Sequence, residues 1–164
     1  MDQSLTRGGL AGAIATIPMT AVMLTAEKAG LMGKIPPKHI TLDLLRFAGV
    51  RHTSHRERNT ATMGLHFTYG MSTGALYGWL ARRLRLPVPG VVQGIGYALA
   101  VWAASYMGWI PALGIMRPEQ RQGKGWILSN VTAHVVYGAV LGAIAGKGRR
   151  RLQARTRRDA DINT

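Results

Sequence analysis

The stretch HVVYGAVLGAIAG, residues 134–146, occurs twice in this chain in related form. The earlier copy, HFTYGMSTGALYG, is residues 66–78, and the two align without gaps with six identities in thirteen positions. Both copies carry a glycine at every fourth position: Gly70, Gly74, Gly78, Gly138, Gly142 and Gly146. In water such helical glycines cost roughly 1 kcal/mol each relative to alanine. In lipid the same spacing gives a smooth face on which another helix packs closely, so the pattern favours a membrane.

The distribution of charge agrees with this interpretation. Four windows hold none of the 28 Lys, Arg, Asp and Glu residues, and each is long enough for the roughly 20 apolar residues of a spanning helix. We therefore predict four transmembrane helices. Their predicted bounds are 8–26, 60–81, 88–110 and 127–146.

The formal net charge of +14 raises the question of nucleic acid binding. The basic residues lie between and after the apolar windows, however, where a membrane protein places them against anionic headgroups. The sequence has no zinc-finger spacing, no aromatic RNA-binding signature and no basic helix-turn-helix pattern. The expected partner is thus a lipid bilayer with anionic headgroups, not nucleic acid. The chain has no cysteine, which excludes disulfides and thiolate metal sites.

The first predicted helix carries Pro18 in its middle, where we expect a kink. A cleaved signal peptide is the competing interpretation of this segment. Its apolar run is long for such a peptide, and no small-residue cleavage site precedes Glu27, so we favour a retained helix.

The longest polar segment lies between the first and second predicted helices. Thr41 is placed to cap a short helix over Leu42–Val50, which would lie on the membrane surface. A plain connecting loop is the alternative. Ser54 and Glu57 have the spacing of a capping box, which predicts that the second spanning helix begins in water near His55.

The third predicted helix starts with Pro87 and Pro89, residues that suit a first helical turn. Near its other end, Tyr106 and Trp109 are placed for an interfacial aromatic belt. After the fourth helix, residues 147–164 form a basic tail, which we expect to be mobile and to contact lipid.

The repeat extends weakly beyond the glycine helices. The first helix is followed by GKIPP, residues 33–37, and the third by GIMRP, residues 114–118, so each has glycine and then proline four residues later. The predicted fold is therefore all-α: an integral membrane four-helix bundle made of two tandem helical hairpins. Each hairpin has two spans, so the copies form a parallel repeat about an axis along the membrane normal. Lys and Arg are almost equally divided between the two sides, and the basic tail favours cytoplasmic termini.

His66 and His134 occupy equivalent positions in the two copies, inside their helices and on the same side of the membrane. Facing imidazoles in a bundle could hold a haem or a metal ion, with the adjacent glycines leaving room for a flat macrocycle. The alternative, which we favour, is that each imidazole donates a hydrogen bond to a carbonyl or hydroxyl on the next helix, for which Tyr69 and Tyr137 are candidates.

Several chemistries have no residues to support them. The predicted spans hold no Asp or Glu, which argues against a proton-coupled exporter that uses an intramembrane carboxylate. No nucleotide-binding glycine loop, zinc signature or nucleophile motif is present. We interpret Ser72, Thr73 and Ser105 as packing hydroxyls, and we predict no catalytic residues and no enzyme.

Four segments resemble the YagU-like small bacterial inner-membrane proteins, a family of unknown function. They are IPPKHIT (35–41), HFTYGMSTGALYG (66–78), VWAASYMGWIPALGI (101–115) and AHVVYGAVLG (133–142). The resemblance touches all four predicted helices and implies a multi-pass protein of the bacterial cytoplasmic membrane. It implies no activity and no site residues.

Three functions remain open from the sequence. The leading hypothesis is a non-enzymatic accessory or envelope-maintenance protein that associates with itself as a homo-oligomer, with lipid or with a larger membrane complex. The second is a haem- or metal-binding protein that uses His66 and His134. The third is a small oligomeric transporter or channel. Its polar lining would be His66, Thr68, Ser72, Thr73, Gln93 and Ser105.

Overall fold

The computed structural model describes residues 3–32, 36–50, 54–84, 86–114 and 123–162, with backbone alone at residue 39 and from residue 147 onward. Within these ranges the chain is all-helical and has no strand. Four long helical segments pack together, and a short helix, Pro36–Phe47, packs against one of them. The elements are α1 (Gln3–Lys28), α2 (Pro36–Phe47), α3 (His55–Leu84), α4 (Gly90–Ala103), a π-turn (Ala104–Trp109), α5 (Ile110–Ala112) and α6 (Lys124–Ile162).

Helix α1 contains Pro18 and ends at Lys28, two residues before Gly30. Gly30 has a φ of +71°, a conformation that glycine adopts at little cost. The Leu31 amide then donates to the Ala26 carbonyl at 3.0 Å, which closes the helix in the manner of a Schellman motif.

Helix α2 begins earlier than the sequence suggested. The prediction of a helix over Leu42–Val50 capped by Thr41 is wrong: the helix is Pro36–Phe47, and Thr41 lies buried inside it. Proline is favoured in the first turn of a helix because its φ is already helical and it needs no amide partner there. Lys38 joins α2 to the end of α1 through an ion pair with Glu27 at 3.1 Å.

The predicted capping box at the start of α3 is confirmed. The Ser54 amide donates to the Glu57 carboxylate at 2.7 Å, and the Glu57 amide donates to the Ser54 hydroxyl at 3.2 Å. These bonds from Ser54 hold the pKa of the Glu57 carboxyl below its usual value.

The last two predicted helices have different bounds in the structure. The third is continuous from Gly90 to Ala112, although six of its residues form the π-turn. Helix α6 continues without a break to Ile162, so the basic segment predicted at 147–164 extends the last helix as far as that residue. Arg, Gln, Leu and Ala are good helix formers, and this segment has no proline to end the helix.

The long helices pack in a definite order. Helix α1 packs against α3 and α6, and α4 packs against α6, whereas α3 and α4 approach each other much less closely. The interior between them is filled by aromatic and small polar side chains rather than by a conventional aliphatic core.

Among the described residues, two helices are long and apolar enough to cross a membrane, judged by length and composition alone: Gln3–Lys28 and Lys124–Gly146. They contain the predicted spans 8–26 and 127–146. The predicted spans 60–81 and 88–110 fall in helices that do not meet these criteria of length and hydropathy. Helix α3 is rich in Gly, Thr and Ser, and the π-turn leaves α4 with 14 residues.

Candidate functional site: the polar interior between the helices

The first glycine copy lies in the contact between α1 and α3. A methyl group built on Gly74 would come within 2.6 Å of the Cα atom of Gly12. A methyl group on Gly8 would lie 3.0 Å from the Cα atom of Gly78. Carbon atoms at van der Waals contact are about 3.5–4.0 Å apart. The two backbones therefore touch directly, and only hydrogen fits at these positions.

The second glycine copy lies in the contact between α4 and α6. A methyl group on Gly94 would come within 2.8 Å of the Cα atom of Gly142, and one on Gly90 within 3.3 Å of the Cα atom of Gly146. Gly138 also lies against the backbone of α4. All six glycines singled out from the sequence thus face a neighbouring helix.

Tyrosines bridge the wider gap between α3 and its neighbours α4 and α6. The Tyr137 hydroxyl donates to the Gly70 carbonyl at 2.7 Å, and the Tyr97 hydroxyl donates to the Thr73 carbonyl at 2.6 Å. Tyr137 also lies 3.0 Å from the Thr73 hydroxyl. Each phenol spans a helix gap with an apolar ring and satisfies its polar end at a backbone carbonyl.

The predicted hydrogen bonds from the histidines to Tyr69 and Tyr137 are absent from the described residues. Tyr69 instead pairs with Ser105 at 2.8 Å, and Tyr137 bonds to α3 as described. Both phenol hydroxyl groups therefore already form hydrogen bonds, and neither requires an imidazole as a partner.

His134 and His66 are both buried but have different surroundings. The Nδ1–H group of His134 donates a hydrogen bond to the Asn130 carbonyl of its own helix at 2.8 Å. The Nε2 atom of His66 is buried and has no hydrogen-bond partner among the described residues.

The residues around this pair do not fit a haem. The glycines one turn beyond the histidines were expected to leave room for a macrocycle, but neighbouring helices occupy that room. The Thr16 side chain fills the space beside Gly70, and the Cβ of Ala98 would lie 2.8 Å from a methyl group on Gly138. In the described part of the chain, no three His, Asp or Glu side chains come together as metal ligands.

Asn130 is the interior residue that the sequence analysis missed. Its side chain is completely buried, and neither its amide nitrogen nor its carbonyl oxygen has a partner among the described residues. A polar residue inside a charge-free window, one turn before His134, was the signal available in the sequence. Asn130 and His66 make this region the most polar part of the interior.

Tyr106 covers this region from the π-turn. Its ring makes edge contacts with the rings of Trp126 and His134, at centroid distances of 5.4 Å and 6.0 Å. Trp126 and His134 lie on α6, one turn before and one turn after Asn130. The prediction that Tyr106 belongs to an interfacial aromatic belt is therefore wrong, because this side chain is buried. π-Helical turns occur frequently at functional sites.

The predicted transporter lining is only partly brought together. His66 and Ser105 are buried, and Thr73 and Gln93 are half-buried. Thr68 and Ser72 are exposed on the outer surface of α3, so they do not line an interior path. The helical phase explains this, since both lie on the opposite side of α3 from His66 and Gly70.

The fold and its interior define a class: an all-helical protein with two helices able to cross a membrane and a small-residue and polar core. Within that class, the chain belongs to a family of unknown function, DUF6789, which it matches over residues 2–156. No curated protein and no solved structure matches the chain. The resemblance to YagU-like proteins stays a prediction beside this assignment.

Proposed function

We propose that this chain is a four-helix integral membrane protein without enzymatic activity, and that it acts as an accessory or envelope component through association within the bilayer. The observation that carries the proposal is the distribution of side chains between the inside and the outside of the helices. Many buried residues are polar or small, and most of the large aliphatic residues in the helices are exposed or only partly buried.

The buried part of the described residues is rich in small and polar side chains, and its only branched aliphatic side chains are those of Ile110 and Leu141. Thr16 and Asn130 have no exposed surface, and buried His, Ser and Thr side chains accompany them. Six of the fifteen buried apolar residues are alanines: Ala11, Ala15, Ala26, Ala81, Ala98 and Ala133.

The large aliphatic residues point outward. Leu10 is 59% exposed, Ile17 is 58% exposed and Leu128 is 69% exposed, although each lies in one of the helices able to cross a membrane. In water such extended apolar surfaces are rare on a monomer. In lipid they need no cover, because packing of small residues and interhelical hydrogen bonds holds membrane helices together.

The same distribution supports four spans rather than two. Leu65, Met71 and Leu76 are exposed along α3, and Val91 and Val92 are exposed on α4. These helices also carry the partner glycines of α1 and α6. Both glycine pairs then lie within the bilayer, as two tandem hairpins require.

A topology experiment tests this proposal, and the absence of native cysteine makes it simple. Val50 and Val88 are comparably exposed, and they follow α2 and α3 respectively. With four spans, Val50→Cys and Val88→Cys lie on opposite sides, so a membrane-impermeant maleimide applied to intact cells labels only one. If only α1 and α6 cross the membrane, both cysteines lie on the same side and behave alike, which would refute the four-span arrangement. Recovery of the protein in the soluble fraction would refute the membrane assignment itself.

A transporter of protons or small polar solutes is the second candidate, and the unpartnered side chains of Asn130 and His66 favour it. Polar groups inside a membrane protein are expensive and often mark a transport pathway. Flux into vesicles reconstituted with the purified protein tests this candidate. Equal flux in protein-free vesicles would exclude it.

A further inference from the structure

The four long helical segments form two pairs, and backbone contact holds each pair together. In the first pair, α1 and α3, the backbones touch at Gly12 and Gly74. In the second pair, α4 and α6, they touch at Gly94 and Gly142. A gap of about 1 Å between such surfaces already loses up to about half of their van der Waals attraction. We therefore expect each pair to move as one rigid unit.

The two units meet in two different ways. On one side α1 packs against α6, and Gly125 in the first turn of α6 lies against the Leu31 carbonyl, just after α1. On the other side α3 and α4 approach each other much less closely. The helices thus form a row in the order α3, α1, α6 and α4, and the two ends of the row face each other across a wider gap.

Tyrosine hydroxyls bridge the gap between α3 and α4, which we call the seam. Three such bonds join α3 to α4 or to the π-turn: Tyr69–Ser105 at 2.8 Å, Tyr97–Thr73 at 2.6 Å and Tyr77–Gly90 at 3.3 Å. The rings of Tyr77 and Tyr97 also meet there, with centroids 5.2 Å apart. Each bond acts at one point at the end of a long side chain, and its loss changes an equilibrium constant only about fivefold. The seam is therefore easier to separate than the glycine contacts.

The connection between α3 and α4 leaves room for the seam to open. Helix α3 ends at Leu84 and α4 begins at Gly90, and six Cα–Cα steps of extended chain reach about 20 Å. Packed helices lie about 8–10 Å apart. The connection therefore permits α3 and α4 to separate by about one helix diameter.

We propose that this protein opens along the seam, by rotation of its two rigid units about the contact between α1 and α6. Opening keeps both glycine contacts and exposes polar groups that tyrosines now bind, including the Gly70 and Thr73 carbonyls. Rigid-body rocking of one helix bundle against another is a known way for membrane proteins to change conformation. The proposal goes beyond the proposed function, and it rests on helix packing rather than on the membrane location.

Distances between spin labels test the proposal, since the absence of native cysteine allows labels to be placed freely. Leu65→Cys and Met107→Cys put labels at exposed positions on the two sides of the seam. Pulsed electron paramagnetic resonance on the full chain, purified in detergent, gives the populations of short and long distances. Tyr69→Phe should raise the ratio of long to short distances about fivefold, and adding Tyr97→Phe should raise it further.

Three controls separate rotation of the units from general loosening. Labels at Ile17→Cys and Leu65→Cys lie within the first unit, and their distance should not change in any variant. Labels at Leu24→Cys and Leu128→Cys span the contact between α1 and α6 and should also keep their distance. Thr20→Val removes a hydroxyl that donates to a carbonyl of its own helix, so it should leave the distances across the seam unchanged.

Two results would overturn the proposal. One is an unchanged distance distribution across the seam in the variant that carries both Tyr69→Phe and Tyr97→Phe. The other is equal broadening within the first unit or between α1 and α6, which would show that the units are not rigid. The cysteine-labelling experiment tests the membrane location separately, and its failure would leave this proposal standing because the spin labels report on the purified chain.

Discussion

Alanine substitution at the helix-contact glycines should destabilise this protein, whereas the same substitution at its open glycines should not. Gly74→Ala is the sharpest case, because its methyl group would lie 2.6 Å from the Cα atom of Gly12 and 2.9 Å from its nitrogen. The shortfall from van der Waals contact is about 1 Å. Both atoms belong to backbone, so the helices must move apart to accommodate the methyl group.

The magnitude follows from two opposing effects. Alanine is favoured over glycine within a helix by roughly 1 kcal/mol. Overpacking of a tight contact costs about 1–3 kcal/mol. Gly64→Ala gains the first effect without the second, because its methyl group meets nothing. Gly74 lies in the same helix, so Gly74→Ala gains the first effect as well and differs from Gly64→Ala only by the second. It should therefore be less stable than Gly64→Ala by about 1–3 kcal/mol.

Thermal unfolding of the purified variants in one detergent measures this difference. Gly142→Ala with Gly96→Ala repeats the comparison in the other helix pair, where Gly142 lies against the backbone of α4 and Gly96 is open. The reasoning fails if the contact and open variants melt at the same temperature. Leucine at Gly74 or Gly142 should act in the same direction and lower the yield of folded protein.

Three further substitutions test the interior and the start of α3. Tyr137→Phe removes the hydroxyl that donates to the Gly70 carbonyl and should lower the free energy of unfolding in detergent by about 1 kcal/mol. An unchanged melting temperature would show that this hydrogen bond does not contribute to stability. Asn130→Leu replaces a buried amide that has no hydrogen-bond partner among the described residues by a side chain of similar size. It should stabilise the fold by about 1–3 kcal/mol and abolish any flux. A variant that melts at a lower temperature would show that the amide does form hydrogen bonds. Glu57→Gln should remove part of the pH dependence of stability, because folding lowers the pKa of the Glu57 carboxyl. The stabilisation by this carboxylate is complete above its pKa in the unfolded chain. It is lost as the pH falls through its pKa in the folded protein. Identical pH profiles of melting temperature in the wild type and Glu57→Gln would contradict that reasoning.

Local patterns in the sequence were sufficient for the helical fold and for some helix ends. The capping box of Ser54 and Glu57 could be read directly, because its bonds join residues three apart. The bounds of α2 could not be read in this way. The capping preference of Thr41 favoured a later start, whereas the helix begins at Pro36, where proline suits the first turn.

The interior could be predicted in its residue types but not in its partners. The repeated His, Tyr and Gly positions marked the right faces of α3 and α6. The bonds of Tyr69 and Tyr137 depend on how far apart the helices lie, and that distance is set by glycine contacts between residues about sixty apart. Tyr106 lies in the π-turn, and no local pattern of residues predicts that turn.

The sequence by itself determined that the chain is helical, that charge is excluded from four windows, and that glycines repeat on two helices. These features follow from composition and from spacings within one helix. The packing of the helices established which glycines meet and that α6 contacts α1 as well as α4. It also showed that the Asn130 amide and the His66 Nε2 atom are buried with no hydrogen-bond partner among the described residues. Such outcomes depend on the distance and rotation between helices, which result from all the contacts together and not from any single segment.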